Sequence, residues 1–66
     1  MTVVLRKFTD AEGRCFLFRA DDGGAESEVR KRGMWGNKDA AKFDALVDDY
    51  IGKLEQAGFA VSYNIS

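Results

Sequence analysis

The sequence predicts a single α+β domain over residues 1–66, in the order β-β-β-α-β. One helix packs on one face of a mainly antiparallel, three- to four-stranded sheet. Three observations lead to this prediction. The first half is rich in strand-forming residues divided by turn sequences. The second half contains one long segment whose apolar residues recur every three and four positions. The final residues alternate between apolar and small or polar side chains.

The first two strands are predicted to form a hairpin. Thr2 to Thr9 is rich in β-formers, and Asp10 to Gly13 supplies a turn in which glycine can adopt positive φ. The second strand, Arg14 to Ala20, has apolar residues on both of its faces, which favours a central strand covered at least partly on both sides. These residues are Phe16, Phe18 and Ala20 on one face, and Cys15 and Leu17 on the other.

A third strand is predicted after a second turn. Asp21 to Gly24 is a strong turn signal. Glu26 to Arg32 is polar, with Val29 its one clearly apolar residue, so we interpret it as an exposed or edge strand. Its charges discourage pairing with other chains, as expected of a sheet edge.

The helix is predicted to run from about Asn37 to Ala57. Asn37 is the expected N-cap, and Asp39 lies in the first turn, where a negative charge favours the helix dipole. One face is apolar and is expected to cover the sheet. Its members are Ala40, Phe43, Leu46, Val47, Tyr50, Ile51 and Leu54.

The helix is expected to end in a Schellman motif, followed by a half-buried strand. Gly58 would be the C′ residue, and Phe59 would contact Leu54. If the last strand lies parallel to its neighbour in the sheet, the helix forms the crossover connection. The predicted strand points Phe59, Val61, Tyr63 and Ile65 to one side, and Ala60, Ser62, Asn64 and Ser66 to the other.

Composition and charge narrow the function. The chain contains 10 Lys and Arg and 11 Asp and Glu, a formal net charge of −1. Non-specific nucleic-acid binders are usually clearly basic, so this balance does not indicate one. The longest apolar run, Cys15 to Phe18, is far shorter than the ~20 residues of a membrane span, so no membrane association is predicted.

The sequence lacks the residues that most catalytic and metal sites require. It has no histidine and one cysteine, Cys15, which excludes Ser-His-Asp and Cys-His pairs and a Cys/His zinc site within the chain. No phosphate-binding glycine motif is present. We therefore predict a non-enzymatic protein with no cofactor and no metal site. The single thiol and the lack of a secretory signal predict a reducing, cytoplasmic location.

The helix carries a candidate acidic surface made of Asp44, Asp48, Asp49 and Glu55. Asp44 and Asp48 are four residues apart and share a face, whereas Asp48 and Asp49 diverge by about 100°. One interpretation is a solvated face that keeps the protein soluble. The other is a surface that meets a basic partner, because charge complementarity sets partner choice and association rate.

Arg30, Lys31, Arg32 and Trp35 form a second candidate surface. Three adjacent cations followed by a tryptophan could contact a phosphate backbone or stack on a base. Arginine and tryptophan are also enriched at protein-binding hot spots. The structural interpretation is that Met34 and Trp35 turn inward and cap the core.

The middle of the chain resembles a known type of DNA-binding domain. Three strands are followed by a helical region that carries Trp35, Ala40, Ala41, Phe43 and Tyr50. This arrangement is similar to the AP2-type and integrase arm-binding domains, and the resemblance implies a three-stranded sheet that binds DNA. The sequence departs from those domains in its acidic balance and in a fourth strand after the helix.

Two function classes follow from these observations. The first is a small protein-binding module, a monomer or weak dimer, that inhibits or modulates a larger machine such as one that processes nucleic acid. By analogy of size and charge, phage-encoded host-takeover and anti-CRISPR-type factors are of this kind. It would act through the acidic helix face. The alternative is a DNA- or RNA-binding module that uses the sheet and Arg30-Lys31-Arg32.

Overall fold

The computed structural model describes residues 1–66 and has one helix packed on a four-stranded mixed sheet. In chain order the elements are β1 (Thr2–Thr9), β2 (Cys15–Asp21), β3 (Ser27–Glu28), α1 (Ala40–Gln56) and β4 (Ala60–Ile65). The strand order is β3-β2-β1-β4, with antiparallel pairing except between β1 and β4, which are parallel. The predicted α+β class and element order are confirmed, and α1 is the crossover connection that precedes β4.

The two predicted turns form as their sequences indicate. The Asp10 side chain accepts hydrogen bonds from the backbone N–H groups of Glu12 and Arg14, both at 2.9 Å. In the second turn, Asp22 and Gly23 have φ values of 49° and 77°, the two consecutive positive angles that a tight hairpin turn requires. β3 is confirmed as an edge strand, but it is much shorter than the predicted 26–32.

The helix begins later than predicted, and its N-cap is Asp39, not Asn37. The Asp39 side chain accepts from the backbone N–H of Lys42 at 3.1 Å. Asn37 instead forms hydrogen bonds within the loop that precedes the helix. Its side chain donates to the carbonyl of Gly33 at 2.7 Å and accepts from the N–H of Asp39 at 2.8 Å. Both residues have capping side chains, and the loop decides which one is placed at the helix end.

The C-terminal end of α1 confirms the predicted Schellman motif. Gly58 has a φ of +93°, and its N–H donates to the carbonyl of Glu55 at 3.0 Å. The N–H of Phe59 donates to the carbonyl of Leu54 at 3.1 Å. These bonds reverse the chain directly into β4.

One core lies between α1 and one face of the sheet. The apolar face of α1 covers the sheet as predicted, with Phe43, Val47, Tyr50 and Leu54 buried, although Ala40, its first predicted member, is exposed. No polar or charged side chain is buried. The buried residues from the rest of the chain are Val3, Leu5, Cys15, Leu17 and Met34.

The other face of the sheet has no covering layer. β2 is a central strand, as predicted, and both of its faces are at least partly covered, but no helix or strand packs on the second face. Phe16 and Phe18 point away from α1 and stay half-buried beside Phe8, which is 39% exposed. The chain has one helix, and that helix covers one side of the sheet only. α1 is also neither long enough nor apolar enough to cross a membrane.

Candidate functional site

The acidic residues of α1 are divided between two sides of the helix. Asp44, Asp48 and Glu55 are separated by four and seven residues, so they lie along one side, which we call the acidic flank. Asp49 lies on a different side, where its carboxylate is 3.0 Å from the Nζ of Lys53. Three of the four predicted acidic residues therefore share a surface, and Asp49 does not.

The acidic flank is held beside the sheet by an ion pair between β1 and α1. The Nζ of Lys7 donates to Asp44 at 2.8 Å, and the Lys7 side chain is only 12% exposed. The Lys7 ammonium also lies 5.6 Å from the centre of the Phe43 ring. The hydrogen bond to Asp44 raises the pKa of Lys7 above its ordinary value, against an opposing effect of burial.

Tyr63 of β4 marks where the acidic flank meets the sheet. Burial is the main cause that raises the pKa of its phenol, while the positive charge of Lys7 opposes the rise. The charges of Asp44 and Asp48 raise this pKa further. The pairing of the strands agrees with this placement, because Lys7, the ion-pair partner of Asp44, is in register with Ile65 of β4, the strand at one edge of the sheet.

Asp48 and Glu55 differ from all other acidic side chains of the protein. Of the 11 acidic residues, they alone have neither an ion pair nor a side-chain hydrogen bond. Both residues are exposed. Asp44 is satisfied by Lys7, so the charge available to a partner is concentrated on the other two members of the acidic flank.

A groove of about 270 Å³ lies on the opposite side of α1. Lys31 and Arg32 contribute positive charge and have no ion pair within the chain, and Lys31 lies 4.7 Å from the Tyr50 ring centre. We call this the basic groove. Its lining residues are Lys31, Arg32, Met34, Leu46, Asp49, Tyr50 and Lys53.

The tryptophan of the second candidate surface lies outside the core. Met34 turns inward and is 2% exposed, as the structural interpretation expected, but Trp35 is 58% exposed. The Arg30 guanidinium lies 5.4 Å from the Trp35 ring centre and bonds Glu28 at 3.0 Å. The segment is therefore divided: Arg30 contacts Trp35, while Lys31 and Arg32 line the basic groove.

The open side of the sheet carries three phenylalanine rings, which we call the aromatic face. Phe8 lies 6.4 Å from both Phe16 and Phe18, measured between ring centres. Arg6 lies over Phe18 at 4.7 Å and is held by Glu26 at 2.7 Å. The Glu26 pair leaves this face without free positive charge. Alternation on both β1 and β2 was the available signal, since it places all three rings on one side.

Cys15 is buried beneath α1, with the Thr9 hydroxyl 3.8 Å from its sulfur. No cluster of three or more histidine, cysteine or acidic side chains has an arrangement that could hold a metal ion.

Comparisons with models of protein families, with curated proteins and with solved structures give no match.

Proposed function

We propose that this protein is a non-enzymatic binding module that contacts a basic surface of a partner protein through the acidic flank of α1. The observation that carries the proposal is that the carboxylates of Asp48 and Glu55 have no partner within the chain. Every other acidic side chain is engaged within the chain, whereas these two are exposed and unpaired on the same side of one helix. Unpaired charges at a rigid surface favour fast association with an oppositely charged partner.

The rigidity of the acidic flank supports the same function. α1 is fixed at its start by the Asp39 cap, at its end by the Schellman motif, and along its length by Phe43 and Val47 in the core. Charges on such a helix keep their spacing when a partner binds, so little ordering cost opposes association.

The form of action that we propose is inhibition or modulation of a larger machine that handles nucleic acid. An acidic flank can occupy a basic channel that otherwise holds DNA or RNA, and it would then compete with that ligand. The proposal places the protein in a reducing, cytoplasmic compartment, because its one thiol has no partner within the chain.

Charge reversal on the two sides of α1 tests the proposal. Asp48→Lys and Glu55→Lys change the acidic flank, and Asp49→Lys makes the same charge change on the other side of the helix. Capture from the native host with the unchanged protein identifies a partner, and calorimetry at two salt concentrations measures affinity. We expect each flank variant to weaken binding about tenfold or more, and the unchanged complex to weaken as salt rises.

Asp49→Lys is the matched control because Asp49 lines the basic groove and not the acidic flank, and its exposed ion pair with Lys53 contributes little to stability. It is expected to bind within about twofold of the unchanged protein. Equal affinity for all three variants would reject the acidic flank as the binding surface.

A nucleic-acid-binding module is the second candidate, favoured by the exposed Trp35 and by the unpaired charges of Lys31 and Arg32. The aromatic face adds stacking surface, although Arg6 beside it is neutralised by Glu26. This candidate predicts retardation of DNA or RNA at low salt, with a salt dependence that decreases in Arg32→Gln. No retardation of any nucleic acid at low salt would exclude it.

A further inference from the structure

The outer edge of β4 carries backbone groups without partners. The N–H groups of Ala60 and Ser66 donate to the carbonyls of Met1 and Lys7, both in the direction of β1. Because backbone groups alternate in direction along a strand, those of Val61, Tyr63 and Ile65 point away from β1. β4 is the last strand on this side, so these groups have no neighbouring strand to pair with.

This edge also lacks the features that usually block pairing with another chain. From Phe59 to Ser66 the sequence contains no charged residue and no proline. Ile65 is 74% exposed. The opposite edge shows the usual protection, because β3 has only two residues and Glu28 and Arg30 place charges beside it. The β3 edge of the sheet is therefore protected against pairing with another strand, whereas the β4 edge is not.

We propose that the edge of β4 binds an extended, basic segment of a partner protein as an added antiparallel strand, an inference that rests on the function proposed above. Backbone hydrogen bonds to Val61, Tyr63 and Ile65 would supply affinity. Side chains of the added strand directly opposite these residues project to the same side of the sheet as α1. Lysine or arginine at those alternate positions would face the acidic flank.

Charge decides between this occupant and a second copy of the protein. Two copies paired through β4 would bring the Asp48 and Glu55 of each chain to the same side of a continuous sheet. Neither carboxylate has a cation within its own chain, so the two acidic flanks would repel each other. A strand with alternating cations neutralises the flank instead, which favours a basic partner.

Nuclear magnetic resonance of the isotopically labelled protein tests the inference with three short blocked peptides. One alternates Lys and Val, one alternates Glu and Val, and one has the composition of the first with Lys and Val in separate blocks. We expect the alternating Lys peptide alone to bind well, to shift the amides of Val61, Tyr63 and Ile65, and to slow their hydrogen exchange. Shifts confined to other residues, or equal binding of the block peptide, would overturn the inference.

Comparing proline with alanine at one position distinguishes the effect of losing a backbone N–H on peptide affinity from the effect of losing the side chain. Tyr63→Pro and Tyr63→Ala both remove the ring, but only the first removes the outward N–H, which makes no bond within the chain. We expect affinity for the alternating Lys peptide to be about tenfold lower in Tyr63→Pro than in Tyr63→Ala. Ile65→Pro and Ile65→Ala repeat the comparison at an exposed strand end, in case the central proline disturbs folding.

The outcomes distinguish this inference from the proposed function. If each proline variant binds as well as its alanine control while Asp48→Lys loses binding, strand addition is wrong and the acidic flank stands. If Asp48→Lys and Glu55→Lys retain full affinity, the proposed function fails and the choice of a basic strand fails with it. A stable dimer in sedimentation equilibrium that Tyr63→Pro dissociates would make a second copy the occupant and overturn the inference.

Discussion

Two glycines near the end of α1 have opposite conformational requirements. Gly58 has a φ of +93°, a conformation that L side chains rarely adopt. Gly52 lies within the helix, and a Cβ added there would meet no atom within 4 Å other than the backbone of the helix itself. One glycine is therefore required by the fold, and the other only weakens the helix.

Alanine at these positions is expected to change the free energy of unfolding in opposite directions. Gly52→Ala should raise it by about 1 kcal/mol, because alanine has the higher helix propensity. Gly58→Ala should lower it by about 1 kcal/mol or more, because the left-handed conformation is strained for a residue with a Cβ. Urea denaturation of both variants measures the two values, and a change of the same sign in both would contradict this assignment.

For helices and strands, the sequence predicted the features that depend on residues close together in the chain. The Schellman end of α1 depends on Gly58 and on the short-range contact of Leu54 with Phe59, so it was predictable. The N-cap was not, because Asn37 and Asp39 are both good caps. The choice depends on where the loop places each one, and the backbone pairing of Asn37 with Cys15 holds it out of the helix.

The length of β3 and the position of Trp35 also depend on contacts between elements. Glu26, immediately before β3, forms an ion pair with Arg6 of β1, and beyond Ser27–Glu28 the backbone makes one further bond to β2, from the N–H of Val29 to the carbonyl of Leu17. Met34 and Trp35 are adjacent and both apolar, yet only Met34 reaches the core. The direction of a loop residue has no periodic signal, whereas the positions of Phe43 and Val47 do.

For the whole molecule, the helical pattern predicted which residues of α1 form the core, but it could not predict which surface groups pair with each other. The sequence correctly placed Asp44 and Asp48 on one side, because helical spacing fixes that relation. It could not show that Lys7 neutralises Asp44 or that β4 lies at an open edge, since both depend on strand order. One helix also had to cover one face or the other, and alternation in β2 does not decide which.

Carboxylates paired across the molecule make its stability depend on pH. The pKa values of Asp10, Asp21 and Glu26 are lowered by hydrogen bonds from Arg14, Arg19 and Arg6 respectively. A lowered pKa means that the folded state binds protons less readily than the unfolded chain. The stabilisation is therefore complete above the ordinary values of 3.8 for Asp and 4.5 for Glu, and it is lost as pH falls through the lower folded values.

We expect the melting temperature to be nearly constant from about pH 5 to pH 8 and to fall steadily below about pH 4.5. Asp10→Asn keeps an oxygen that can accept from the backbone but loses the charge that binds Arg14, so its melting temperature should be lower at pH 7 and should change less on acidification. Glu55→Gln is the control, because Glu55 has no partner within the chain, and its profile should follow that of the unchanged protein. Circular dichroism melts between pH 2 and pH 8 measure all three profiles. An identical acid dependence in Asp10→Asn and the unchanged protein would show that the Arg14 contact contributes nothing to the acid sensitivity of the fold.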